Sequence, residues 1–185
     1  MRVTAPFILL AACFASVNAY GVGSSRRELL KQASFGVASL TFVSNANAID
    51  ACPKGSKNCI VTTWNPPAGT SKKDMALAIR AAINGYPKEG QEKVDLGGYE
   101  IVQDDLDGSG KASVEFKSGI GNFAKFLNGG KPFVDDLNVE INGDHVDVRS
   151  ASRVGDSDFD VNRKRLVFLA NTLRSAGWSV ADPTY

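Results

Sequence analysis

The sequence predicts an α+β domain, an antiparallel sheet of about four strands with two main helices packed on one face. Three observations carry that expectation. Ala112, Val114 and Phe116 alternate with Ser113, Glu115 and Lys117, and Phe133, Asp135, Leu137, Val139 and Ile141 share one parity while Asp136, Asn138 and Glu140 share the other. This is the two-residue period of half-buried strands. Asn142-Gly143 then gives the strongest hairpin signal in the chain. Met75, Ile79, Ala82, Ile83 and Tyr86 recur at helical spacing, as do Val161, Leu166, Leu169, Ala170 and Leu173.

With 185 residues, 43% of them hydrophobic and 22% charged, the chain fits one globular domain plus a targeting sequence. Its near-balanced net charge of +1 points away from nucleic acid and anionic membranes as partners. Residues 1–48 read as an address. Arg2, the apolar run Phe7 to Phe14 and the small-residue site Val17-Asn18-Ala19 describe a secretory signal over residues 1–19. Residues 20–48 then hold Ser25-Arg26-Arg27-Glu28-Leu29-Leu30-Lys31, a weakly apolar run from Ala33 to Val43, and Ala46-Asn47-Ala48. That series resembles a twin-arginine signal with its peptidase site. The apolar run is too short to span a bilayer.

Two signals in series imply two membrane systems. Tyr20 directly after the first cleavage site resembles the bipartite presequences of algae with secondary red plastids. The expected destination is the plastid thylakoid lumen; a bacterial periplasm is the alternative. The mature domain, residues 49–185, then carries a net charge of about −2 and is expected to have no membrane span.

In the mature chain, Cys52-Pro53 and Asn58-Cys59 flank a small polar loop. A zinc site needs three or four ligands, and His145 lies far off in another element, so neither metal nor cofactor is expected. A disulfide between Cys52 and Cys59 is the expectation in an exported protein, with a redox or free thiol as the alternative. Trp64-Asn65-Pro66-Pro67 reads as irregular extended chain. Ser71 with Asp74 opens the first helix in the manner of a capping box, and Gly85 before Pro87 ends it. Tyr99 and Ile101 mark the next strand.

Asp104 to Gly110 invites a calcium reading. Aligning Gly108 with the loop glycine of an EF-hand puts Gln103 first and Val114 last, where carboxylates are required, so a hairpin turn is expected. Gly119 to Lys131 should form a short helical turn in a connection. Beyond Asn142-Gly143, Val146 and Val148 point inward and His145, Asp147 and Arg149 outward. Asp135 stands on the apolar parity and requires a partner.

Arg149 to Arg165 is the least ordinary stretch, with five basic and three acidic side chains around Gly155. Ser157 or Asp158 should cap the helix that follows, and Gly177-Trp178 resembles a glycine C-cap with its hydrophobic contact. Arg163, Lys164 and Arg165 oppose the helix dipole, a small penalty that Asp156, Asp158 and Asp160 can offset.

From about Asp50 to Trp178 the chain resembles a family known as domain of unknown function 1499, found in bacteria and plastids. The resemblance rests on Cys52-Pro53 with Asn58-Cys59, on Asp135-Asp136, and on Arg149-Ser150-Ala151-Ser152-Arg153-Val154-Gly155 followed by Asp158, Asn162, Arg163 and Arg165. It implies no particular activity.

Three readings of the stretch follow. It is a junction tied by ion pairs, with Arg153 or Arg149 neutralising Asp135 or Asp136 and with Asp158 and Asn162 satisfying backbone groups. It is a binding surface, in which Arg149, Ser150, Ser152, Arg153, Asp158, Asn162, Arg163 and Arg165 grip an acidic partner such as a thylakoid photosystem complex. Or it is an enzyme site using Asp135, Ser152 and Arg153. The first two are compatible, and together they predict a non-catalytic accessory protein. Against the third, strand parity places His145 on a different face from Ser150, so a Ser-His-Asp arrangement is not expected.

Overall fold

A computed structural model describes residues 49–119, 126 and 128–185. These belong to one compact unit, Asn45–Tyr185. The two expected signals and most of the helical turn expected between Gly119 and Lys131 lie outside the described residues. The class is α+β. Strand β1 (Cys59–Asn65) precedes helix α1 (Lys72–Asn84); strands β2 (Tyr99–Asp105), β3 (Lys111–Lys117), β4 (Val134–Asn142) and β5 (His145–Ser152) follow; helix α2 (Val161–Ser175) and strand β6 (Ser179–Val180) close the chain.

The six strands form one antiparallel sheet in the order β2-β3-β4-β5-β1-β6. The expected count of four strands is therefore too low by β1 and β6. Trp64-Asn65, expected to be irregular, lies within β1, and Pro66-Pro67 ends that strand instead of excluding it. Local sequence gives β1 weak alternation; what fixes it is pairing with β5 across most of the chain's length, from Cys59 opposite Ala151 to Trp64 opposite Val146. Trp64 is 1% exposed, which explains a tryptophan beside two prolines.

One sheet face makes the core. Ile60, Trp64, Val114, Phe116, Leu137, Val139, Val146 and Val148 meet Met75, Ile79 and Ile83 of α1 and Leu166, Leu169 and Leu173 of α2 in a single cluster. Each fully buried aliphatic side chain contributes about 1.5–3 kcal/mol. Tyr86 packs edge-on against Tyr99, Phe116 and Phe168. Ile101 departs from the core role its strand implied: although still in register opposite Val114, it lies on the edge strand β2, has no further strand to cover it and is exposed.

The turns follow their chemistry. Asp105 Oδ2 accepts from the Ser109 amide inside the β2–β3 hairpin (2.9 Å), and Asn142 pairs with His145 around the Gly143-Asp144 turn. Ser71 caps α1, its hydroxyl oxygen accepting from the Asp74 amide at 3.2 Å. At the end of α2, Gly177 has φ +86; its amide bonds Arg174 O and the Trp178 amide bonds Leu173 O, the paired hydrogen bonds of a Schellman motif. The start of α2 differs from expectation. Its N-cap is Asp160, in the left-handed region with no side-chain cap bond, while Asp158 acts from two residues further out.

Candidate functional site

The junction between β5 and α2 is built by placing a guanidinium at the centre of the core face. Arg165 falls in the second turn of α2, on the stripe that contains Leu166 and Leu169, and is 0% exposed. A buried charge must be paired and hydrogen-bonded to be tolerated. Nε and Nη2 form a two-pronged bond to Asp95 (2.8 and 2.5 Å), Nη2 also reaches Asp135 Oδ2 (2.7 Å), and Nη1 donates to Ser150 Oγ (2.9 Å) and Asn162 Oδ1 (2.7 Å). The Phe116 ring lies 4.3 Å below the guanidinium carbon. Burial alone would lower the Arg165 pKa, but Asp95 and Asp135 outweigh it and raise it above the ordinary arginine range.

Asp135 thus has the partner its parity demanded; of the pairs expected of Arg153 or Arg149 with Asp135 or Asp136, Arg153 takes Asp136, whereas Asp135 is answered by Arg165. The reason is the face: Asp135 lies on the core side of β4, whereas Arg153 and Arg149 share the parity of the open side. Asp95 is the residue that sequence reasoning missed. It sits in the Gln91–Gly98 connection with φ +54, buried, and accepts from the Tyr86 hydroxyl at 2.7 Å as well as from Arg165. Burial, together with the adjacent Asp95 carboxylate, pushes the Tyr86 phenol well above its ordinary pKa. No periodic signal marks this loop. Its legible marks are the glycines that bound it: Gly90, at φ +76, where a Cβ would lie 2.1 Å from Val94 O, and Gly98, at φ +80, where one would lie 2.8 Å from Lys88 O.

Asn162 forms a second hub in the first turn of α2. Its Oδ1 accepts from Ser150 Oγ (2.6 Å), and its Nδ2 donates to Asp158 Oδ2 (2.6 Å), Ser152 Oγ (3.1 Å) and Asn58 O (3.2 Å). Asp158 in turn accepts from the amides of Asn162 (2.8 Å) and Asp160 (2.9 Å) and from the Tyr185 hydroxyl (2.6 Å), so a side chain outside the helix satisfies its orphan amides. Burial and Asp158 raise the Tyr185 pKa. The Cys52–Cys59 disulfide closes the loop that contributes Asn58. Asn58 O also accepts from the Ser152 amide (2.9 Å), and the Asn58 side chain donates to Gly155 O, so the bridge holds a clamp on the junction.

The remaining arginines diverge. Arg163 pairs with Asp160, which raises the guanidinium pKa and lowers that of the carboxyl. Arg153 points to the open sheet face, donating to both oxygens of Asp136 (2.8 and 2.7 Å) and to Glu115; these bonds raise its pKa. The Arg149 side chain, also on the open face, has no hydrogen-bond or ion-pair partner among the described residues, and its Nε is buried.

Chemically, Ser150, Ser152, Asp158, Asn162 and Arg165 are joined to one another and to Asp135, while Arg149, Arg153 and Arg163 stand apart from that network. Asp135 and Ser152 face each other across β4 and β5. Arg153 lies behind the sheet, so these three do not converge. His145 bonds Asp144 and approaches Asp147 at the far end of β5. Among the described residues no group of three His, Cys, Asp or Glu side chains could hold a metal ion, and no helix is long and apolar enough to cross a membrane.

Residues 43–173 match the family model described as protein of unknown function (DUF1499). No curated protein and no solved structure matches the chain. The matched segment spans more than half of the sequence and takes in the disulfide, β1 to β5 and the junction up to Leu173; the chain belongs to the DUF1499 family.

Proposed function

We propose that this chain is a non-catalytic accessory protein of the plastid thylakoid lumen that docks on a thylakoid membrane-protein complex, such as a photosystem, through the β5–α2 junction. The two signals in series support the location. The observation that carries the docking role is Phe159. Its side chain is 84% exposed, and its backbone has φ +54, a conformation that bulky residues avoid at a cost on the order of 1–2 kcal/mol. Asp158, accepting from the amides of Asp160 and Asn162 that follow Phe159, and Ser157, accepting from the Phe159 amide, hold the loop in that shape, with the Asn162 side chain bonded to Asp158.

A strained backbone that presents a rigid aromatic ring to solvent is a poor arrangement for folding and a good one for an interface anchor. Val154, 45% exposed, lies in the same junction loop, and the half-exposed Arg163, paired with Asp160 beside Phe159, supplies a polar rim. Arg165, buried in its network, takes no direct part.

The test is affinity capture from thylakoids with the mature chain and with Phe159→Asn, since asparagine tolerates the left-handed region and removes the ring. Wild type should retain a photosystem or another thylakoid membrane complex, identified by mass spectrometry. The variant should melt like wild type and retain none. Equal capture by both, or none by wild type, overturns the reading.

A further inference from the structure

The open face of the sheet, behind the core, holds a feature that docking at the junction does not use. Register places Gln103, Ser113, Asn138, Arg149 and Val61 side by side in one row across five strands, and Asp105, Lys111, Glu140, Asp147 and Thr63 in the next. A cavity of about 270 Å³ opens over these rows, with Ile49 and Asp50 forming a further part of its wall. Seven of its ten lining residues are polar or charged, and Ile49 is the one apolar side chain at its wall, because Ala112 and Val139 turn theirs to the core.

The polar groups are poised as donors. Arg149 Nε is buried with no acceptor. An orphaned buried donor is costly, about 1–3 kcal/mol, and calls for an acceptor that none of the described residues supplies. Ser113 donates its hydroxyl hydrogen to Asn138 Oδ1 at 3.1 Å, which fixes that oxygen as the acceptor; the Asn138 amide nitrogen has no acceptor among the described residues. Glu140, only 4% exposed, has Lys111 Nζ at 3.7 Å.

We infer that this cavity binds a small organic monocarboxylate, its carboxylate held by the Arg149 guanidinium and the Asn138 amide. A guanidinium fork matches a planar carboxylate. Charge sets the limit of one: Arg149 and Lys111 face Glu140 and Asp50 in the same lining, so a dianion such as phosphate meets two carboxylates and only one guanidinium without a partner. The volume suits a body of one ring or a short chain, which would rest beside Ile49.

The experiment uses the mature chain, with benzoate as probe and benzamide as its neutral isostere, followed by NMR of the arginine Nε–H and asparagine side-chain signals. Benzoate should shift the Arg149 Nε–H and Asn138 amide signals saturably, and benzamide should leave them in place. Arg149→Gln should weaken benzoate binding about tenfold or more, as expected for loss of a charged hydrogen bond. Asn138→Asp, nearly isosteric and repelling the probe, should weaken it as much and serves as a second variant should Arg149→Gln fail to fold. No saturable shift with benzoate, an equal response to benzamide, or full-strength binding by a folded variant overturns the site. Phosphate binding as tightly as benzoate overturns the monocarboxylate assignment.

Discussion

Replacing Arg165 with methionine should be the most damaging single change at the junction. Methionine keeps much of the length and packing of the arginine stem, so the change isolates the guanidinium. Five hydrogen bonds disappear together, and Asp95 and Asp135, 4% and 8% exposed, are left in the core without their cation. Breaking a buried ion pair by removing one partner costs about 3–5 kcal/mol, because the remaining charge is neither solvated nor paired. Against a total stability on the order of 5–15 kcal/mol that is a large fraction. In urea titrations of residues 49–185, the midpoint should fall accordingly with the slope unchanged. The cause can be separated from lost packing. If stranded carboxylates are responsible, adding Asp95→Asn and Asp135→Asn to Arg165→Met should restore at least half of the loss, since no charge then stays buried and the residue 95 amide can still accept from the Tyr86 hydroxyl. A loss below about 1 kcal/mol for the single variant, or a triple variant no more stable than the single one, refutes the assignment of Arg165 as the neutralising centre.

Arg153→Ala offers the contrast: although Arg153 bonds two carboxylates, its side chain is 47% exposed, and solvent screening limits the loss to about 1 kcal/mol or less, read from the same urea midpoints. His145 should give stability a shallow pH dependence. Asp144, hydrogen-bonded to its ring, and Asp147 nearby raise its pKa above the ordinary value of about 6.5. A raised folded-state pKa stabilises below the unfolded value, and that gain is lost as pH rises through the folded value. The melting temperature of wild type relative to His145→Gln should therefore be highest below about pH 6.5 and decline above it; a difference that stays flat or grows with rising pH contradicts this.

Much of the α+β architecture was legible because it depends on local periodicity. The two-residue alternation of β3, β4 and β5 and the helical spacing of α1 and α2 each record which face is buried, and Asn142-Gly143 and Gly177 are required by backbone geometry that few other residues tolerate. β1 escaped because its neighbours β5 and β6 lie far away in sequence, and two prolines disguise its end. Strand parity by itself determined that Asp135 needed a partner in the core and that His145 and Arg149 faced away from Ser150. Which cation answered Asp135 was decided only in three dimensions: α2 brings Arg165 over the core face, and a loop with no periodicity folds Asp95 against it. The same holds for the arginines of the junction. In sequence they look alike, but the sheet separates them, leaving Arg165 at the centre of the core and Arg153 and Arg149 on the open side. A linear pattern records the alternation of faces, whereas a charged pair depends on the distance between residues far apart in sequence, which only the packing of helix, sheet and loop sets.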